Sequence, residues 1–508
     1  MQAPDDTPYP LDHLALRGPR DGLALEWRDW KIDHAGLDAA VGGIAAAFVK
    51  RGLRRGDRLA SWLSKTSLAC VLPLACARAG LIHVPINPVL KRTQVAHILA
   101  DSGAKVLISG EDRARTLTPD DRPKECALLI EDEQAPLTMM SDRLPPSSGD
   151  PQDLAAILYT SGSTGRPKGV MLSSANLWLG AISVAHYLRL SADTRTLAVL
   201  PLSFDFGQNQ LLSTWAAGGC VVPLDYAVPR DVVAAVSRAS INTLAGVPTL
   251  WRQLVAAEWS EATATSLTCI SSSGGRLGER LVRALRTRFP NAALHSMYGL
   301  TEAFRSTSLD PALIDKMPDS IGSAIPFAEV LVVREDGREV IAGATGELVH
   351  AGPLVAKGYW NDPERTKERF RPAPLASKLG GTAVWSGDQV KRGRYGLLLY
   401  VGRKDEQLKV QGYRISPTEI EEAAMASGAL AEAVAIGVDD PEHDQAIQLV
   451  MRPAAGWSED SAEAAVRAHL RIELPAYMQP RDFRWVGEMP LTPNGKVDRV
   501  SLREDAMA

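Results

Sequence analysis

The chain has 508 residues, 45% hydrophobic and 23% charged, with a formal net charge of −4. That length suggests about three folding units, or one large and one small. The balance is that of a soluble globular chain, without a basic stripe to suit nucleic acid. Five cysteines (Cys70, Cys76, Cys126, Cys220, Cys269) form no CxxC pair. No nucleophile motif surrounds them, so reduced, buried thiols in a cytoplasmic protein are expected.

The N-terminus, MQAPDDTPYPLDHL, is acidic and Pro-rich and lacks the apolar core of a secretory signal. Residues 36–52, GLDAAVGGIAAAFVKRG, place apolar side chains at helical spacing, whereas RLASWL (58–63) and KVLISG (105–110) read as strands. The most apolar window, 67–86, contains Pro73, Arg78, Gly80 and Pro85. It is a poor membrane span and reads as a buried helix entering a buried strand. Such alternation predicts an α/β fold with a largely parallel sheet. Residues 132–153 are polar and Pro-rich and read as a connecting loop. The α/β rhythm runs to about residue 315; AEVLVV, GELVHAG and LLLYVG then predict a strand-rich section over 328–402. Beyond residue 403 the order strand, helix, strand, helix suggests a separate α+β unit of ordinary domain size. The division expected is therefore 1–402 and 403–508.

One loop carries chemistry. After the apolar strand LAAILY comes TSGSTGRPKG, residues 160–169, which packs Ser, Thr, Gly and Lys together. Glycines let a backbone wrap an anion, hydroxyls and amides donate to phosphate oxygens, and a lysine adds charge. A Walker loop starting at Gly162 would need glycine where Pro167 stands. A flexible Ser/Gly linker would explain neither the strand before the loop nor its Arg-Pro-Lys-Gly ending.

LYTSGSTGRPKGV resembles the signature of the adenylate-forming (AMP-binding) superfamily, which includes acyl-CoA synthetases, adenylation domains of peptide synthetases, and luciferases. Four further segments resemble that family's motifs in order: HSMYGLTEAF (295–304), WSGDQVKR (385–392), YVGRKDEQLKVQGYRISPTEIE (400–421) and LTPNGKVDR (491–499). The Gly-rich SSSGGRL (271–277) and LPAYMQPRDF (474–483) also match. The likeness covers roughly residues 10–505. It implies a large N-terminal domain of two α/β subdomains plus a small β-barrel, and a small mobile α+β C-terminal domain.

The resemblance also implies roles. Thr160, Ser161, Gly162, Ser163, Thr164, Gly165 and Lys168 would grip phosphates, with Gly274 and Gly275 walling the adenine. Tyr298 would stack on adenine, Thr301 would contact phosphate, and Glu302 would help hold Mg²⁺. Asp388 and Arg403 would bind ribose, although Trp-Ser stands where the family has Tyr-Arg/Lys-Thr. Arg414 would meet phosphate, Asp405 would be a hinge, and Gly412 would line the thiol tunnel. Lys496 would contact the acid's carboxylate and the α-phosphate, making it the leading catalytic candidate. The implied reaction joins a carboxylic acid to AMP from Mg·ATP and then passes the acyl group to a thiol, CoA or a carrier protein's phosphopantetheine. The chain ends soon after Lys496, so a stand-alone ligase is expected.

The acid is less legible. PLSFDFGQNQ (201–210) falls on the family's pocket motif, with Phe204 as a gating aromatic and Asn209 and Met297 as further lining. Asp205 stands where amino-acid-activating members pair with the substrate's amino group; equally, it could cap a helix. Arg305 either faces the pocket, where it could meet a second carboxylate, or forms a surface salt bridge. The closest likeness is to exosortase-associated acyl-CoA ligases, and proline-activating ligases look similar. Three readings follow: an acyl-CoA ligase, an amino-acid ligase serving a free carrier protein, and a catalytically inactive ATP-binding regulator. The intact Lys496, Glu302 and Asp388 count against the last, and a luciferase-like oxygenase is disfavoured by rarity alone.

Overall fold

The computed structural model describes residues 4–131, 142–160, 167–275, 277–341, 343–403, 407–440, 444–490 and 497–507. The expected loop is described only over 142–153, where it carries neither helix nor strand. The chain is mixed α/β, as expected. A first sheet has six strands, five of them parallel, with Leu154–Thr160 and Lys168–Ser173 forming its one antiparallel pair. Helix His34–Lys50 covers the 36–52 pattern, starting at Asp33, whose side chain accepts from the Gly36 amide. The 67–86 window is helix Ser67–Arg78, with Pro73 inside it, followed by the fully buried strand Ile82–Pro85.

A second sheet of fourteen strands has a parallel half, including Arg195–Ala198, Cys220–Pro223, Thr243–Gly246, Cys269–Ser272 and Ala293–Tyr298. The short strand Thr307–Ser308 turns its direction, and the strand-rich section then continues antiparallel through Thr382–Arg392 and Leu398–Arg403. This bend places the end of Ala293–Tyr298 beside the middle of Thr382–Arg392. A third sheet of five strands follows from Leu408, packed with helices Pro417–Met425 and Glu459–Glu473 around its own core. Among the described residues no helix is long and apolar enough to cross a membrane. All five cysteines are buried and free.

The N-terminal segment is tied down by charge. Asp12, fully buried, accepts from Arg78 Nε at 2.9 Å, from the Ser147 amide at 3.0 Å and from the Ser147 hydroxyl at 2.6 Å. Arg78 also reaches Asp38 at 2.7 Å. A carboxylate this deep is tolerable only when its acceptors are filled. We expect Asp12→Ala to cost about 3–5 kcal/mol by leaving Arg78 short of a counter-charge; chemical denaturation would measure it.

Candidate active site

The three sheets converge on one carboxylate. Glu302 follows strand Ala293–Tyr298 in a short 3-10 turn, Thr301–Ala303, and is 3% exposed. Lys168 opens its strand opposite Thr160, so the two residues flank the phosphate-loop segment. Its ammonium lies 3.1 Å from Glu302 Oε1 and donates to the Tyr359 hydroxyl at 2.7 Å. Tyr359 donates in turn to Glu302 Oε1 at 2.7 Å. A backbone bridge between Val170 and Tyr359 fixes that tyrosine beside the lysine strand. Arg414, on the third sheet, comes within 4.0 Å of Glu302 Oε2 and 3.6 Å of Asp388 Oδ2.

Burial alone would raise the Glu302 carboxyl, but Lys168, Arg414, the Tyr359 hydroxyl and Arg369 more than offset it and hold it far below the usual range. Burial lowers Lys168, with Glu302 pulling the other way. The result is a charge-compensated cluster around a buried carboxylate. Tyr359 and Arg369 were not anticipated from sequence; a Gly-Tyr-Trp run and an arginine among other charges give no distinguishing signal. Gly387 has φ +72°, a backbone conformation that favours glycine, and it lies beside the Arg369 guanidinium.

Asp388 is 1% exposed and accepts from the hydroxyls of Tyr298 and Tyr400, the latter at 3.4 Å. Tyr298, Thr160, Gly274, Gly275, Thr301, Met297, Phe204, Asp205, Arg305, Gly412 and Arg414 all line one cavity of about 1350 Å³. Ser161, Gly162, Ser163, Thr164, Gly165, Asp405 and Lys496 lie outside the described residues, as does the side chain of Arg403.

Gly412 sits at the tip of the hairpin joining Leu408–Val410 to Tyr413–Ile415, with φ +84°. A Cβ on it would meet Val247 Cγ1 at 2.9 Å, and one on Gly274 would come within 3.7 Å of Gly412. The hairpin thus closes the cavity from the third sheet. Beside it Tyr413 stacks on Tyr477 at 3.8 Å and meets the edge of Phe204 at 5.4 Å.

The structure chooses between alternatives the sequence left open at Asp205 and Arg305, and it departs from expectation at Asn209. Asp205 does not cap its helix: Phe204 holds the capping position, and Asp205 is the first helical residue. Its carboxylate instead accepts from Thr301 Oγ1 at 3.1 Å and faces Arg305 Nη2 at 3.4 Å. Arg305 is therefore no surface salt bridge, being 2% exposed in the cavity wall. Asn209 is buried but not among the cavity-lining residues; four positions after Asp205, it lies one helical turn further along.

Among the described residues no group of three or more His, Cys, Asp or Glu could hold a metal ion. Glu302 still suits Mg²⁺ in one respect: its buried Oε2 accepts no hydrogen bond. Magnesium is commonly held by one or two carboxylates together with substrate phosphates.

A matching family model, "AMP-binding enzyme", covers residues 11–360, and a second, "AMP-binding enzyme C-terminal domain", covers 419–496. Tyrocidine synthase 3 of Brevibacillus parabrevis is 30% identical over 509 residues, 98% of this chain, but the chain spans only 8% of that protein's length. A feruloyl-CoA synthase of Amycolatopsis sp is 31% identical over 476 residues, 93% of each chain. ATP-bound MatB from Rhodopseudomonas palustris is 28% identical with a TM-score of 0.71, covering 98% of this chain and 99% of its own.

One further buried acid carries a stability consequence. Glu419 lies where helix Pro417–Met425 meets Gln94 of helix Arg92–Ser102, with Tyr477 facing it. Burial pushes its carboxyl up to about 8, with Glu422 adding to the rise and Gln94 opposing it. A carboxyl raised in the folded state favours folding at pH below its unfolded value of 4.5 and withdraws that support as pH climbs toward 8. Glu419→Gln, which cannot ionise, should therefore raise Tm relative to the parent at pH 8.5 and leave it unchanged near pH 4.5, as read by calorimetry.

Proposed function

The chain belongs to the AMP-binding enzyme family, and from that premise we propose that it activates a carboxylic acid with ATP and passes the acyl group to a thiol. The Glu302 cluster carries this reading. Two cations and a phenol gathered on a buried carboxylate, with Lys168 itself at the end of the Ser/Gly-rich sequence, make a site ready to exchange partners with a triphosphate. Lys168 and Arg414 would turn to phosphate oxygens, Tyr298 would form an adenine wall, and Asp388 would accept from ribose hydroxyls. Glu302 would hold Mg²⁺, which when bound neutralises phosphate charge.

In the first step a carboxylate oxygen attacks the α-phosphorus, the bond to the β-phosphate oxygen breaks, and pyrophosphate leaves. The chain's contribution is alignment and compensation of the growing negative charge. Lys496 would supply the compensating positive charge at the attacked phosphate. In the second step a thiol sulfur attacks the acyl carbon, the single bond from that carbon to the AMP phosphate oxygen breaks, the thiol proton is released, and AMP departs with that oxygen. Gly412 would leave a passage for the thiol arm, and Asp405 would be the pivot that exchanges the two steps, dividing the chain into 1–402 and 403–508.

CoA is the favoured acceptor, supported by likeness to a feruloyl-CoA synthase along 93% of both chains. Likeness to one stretch of the far longer tyrocidine synthase 3 supports a carrier-protein thiol as the second reading.

ATP–pyrophosphate exchange tests the first step. Lys496→Ala should lower exchange by about 100-fold or more, the scale of losing a transition-state contact, while ATP binding by calorimetry persists; unchanged exchange would refute the role. Gly412→Ala should leave exchange within about twofold and slow thioester formation by about tenfold or more, because the new methyl meets Val247.

A further inference from the structure

The polar end of the cavity is balanced in charge but not in hydrogen bonds. Arg305 is 2% exposed, and its Nε and Nη2 make no hydrogen bond. Nη1 donates to Ser273 Oγ at 3.3 Å, and Nη2 stands 3.4 Å from Asp205 Oδ2, near enough for charge attraction. The guanidinium lies over the Phe206 ring at 4.5 Å. It is pressed from behind by Gly299, where a Cβ would lie 3.1 Å from its Cδ. Asp205 meanwhile has one oxygen on Thr301 and the other toward Arg305. Ser203, also in the wall, has a buried hydroxyl with no hydrogen-bond partner.

Each class of acid can be weighed against this arrangement. An ammonium placed to reach Asp205 would lie beside Arg305, whose charge already answers that carboxylate. A second carboxylate placed to reach Arg305 would lie beside Asp205. Either would leave one net charge in a desolvated pocket, which is costly. A purely hydrocarbon tail would leave the Nε–H of a buried guanidinium unmatched, which is costly too. An uncharged oxygen satisfies the free donor and keeps the net charge at zero.

We infer that Arg305, set by Asp205, selects monocarboxylic acids whose tail carries an uncharged hydrogen-bond acceptor: a hydroxyl, alkoxy or keto oxygen. This rests on the acid-activating reading above. It also separates this pocket from one built for an amino acid, in which the aspartate must stand free to take the amine.

The test is pyrophosphate exchange by the full chain with two matched sets of acids. One is hexanoic acid and its 6-hydroxy, 5-oxo, 6-carboxy and 6-amino forms; the other is 3-phenylpropenoic acid and its 4-hydroxy, 4-methoxy, 4-carboxy and 4-aminomethyl forms. Oxygen-bearing neutral tails should exceed the plain parent by about 10- to 100-fold in kcat/KM, the scale of leaving one buried donor unsatisfied. Arg305→Met should bring that ratio close to one, the ratio being read within the variant whatever its absolute rate. Should that variant misfold with Asp205 left uncompensated, Arg305→Met combined with Asp205→Asn removes both charges and should give the same collapse. A preference for either charged tail, or a parent enzyme indifferent to tail oxygen, overturns the inference while leaving acid activation standing. Exchange with no acid in either set overturns the activation reading itself, and the inference with it.

Discussion

A carboxylate removed from water has to be answered by positive charge or by hydrogen bonds, and Glu302 is the point where this chain meets that demand. Lys168 answers from the first sheet, and Arg414 from the third. Tyr359 answers from a segment bridged to the lysine strand. Arg369, which lies beside Gly387, adds to the field. Regions separated by more than two hundred residues of sequence are held in register by one acidic group. A triphosphate would bring the same kind of charge to the same cations.

Much of this was legible in the amino-acid order because the chemistry is carried by short runs. Backbone wrapping around phosphate requires glycines and hydroxyls close together, and no distant residue can supply them. The strand before the loop, the buried helix at 67–78 and the strand-to-helix passage at 413–425 were equally readable, since apolar spacing and turn residues are local properties. What escaped was pairing across the fold. Tyr359 becomes significant only when a bridge to Val170 sets it beside Lys168. Arg305 read as an arginine after a motif, and only burial shows that it spends its charge on Asp205.

Asp205 shows the same limit from the other side. Its position in a motif suggested either a helix cap or a partner for a substrate amine. It does not cap, because Phe204 takes that position, and its carboxylate faces Arg305 instead of solvent. A motif position fixes where a side chain starts; the company it keeps is decided by residues a hundred positions away.

The contact between helices Arg92–Ser102 and Glu459–Glu473 has a consequence of its own. It is made by Thr93 donating to the Glu473 carboxylate at 2.6 Å and by Gln94 donating to the Glu473 carbonyl at 3.2 Å. Hydrogen bonds of this kind contribute only about 1 kcal/mol each, because water takes either partner's place on nearly equal terms. The rest of the junction is different in kind: Tyr413 meets the Phe204 ring, and Gly412 lies against Val247. Parting the third sheet from the other two would therefore wet apolar surface at one end while merely exchanging partners at the other, so the two ends of the seam would resist opening by different means.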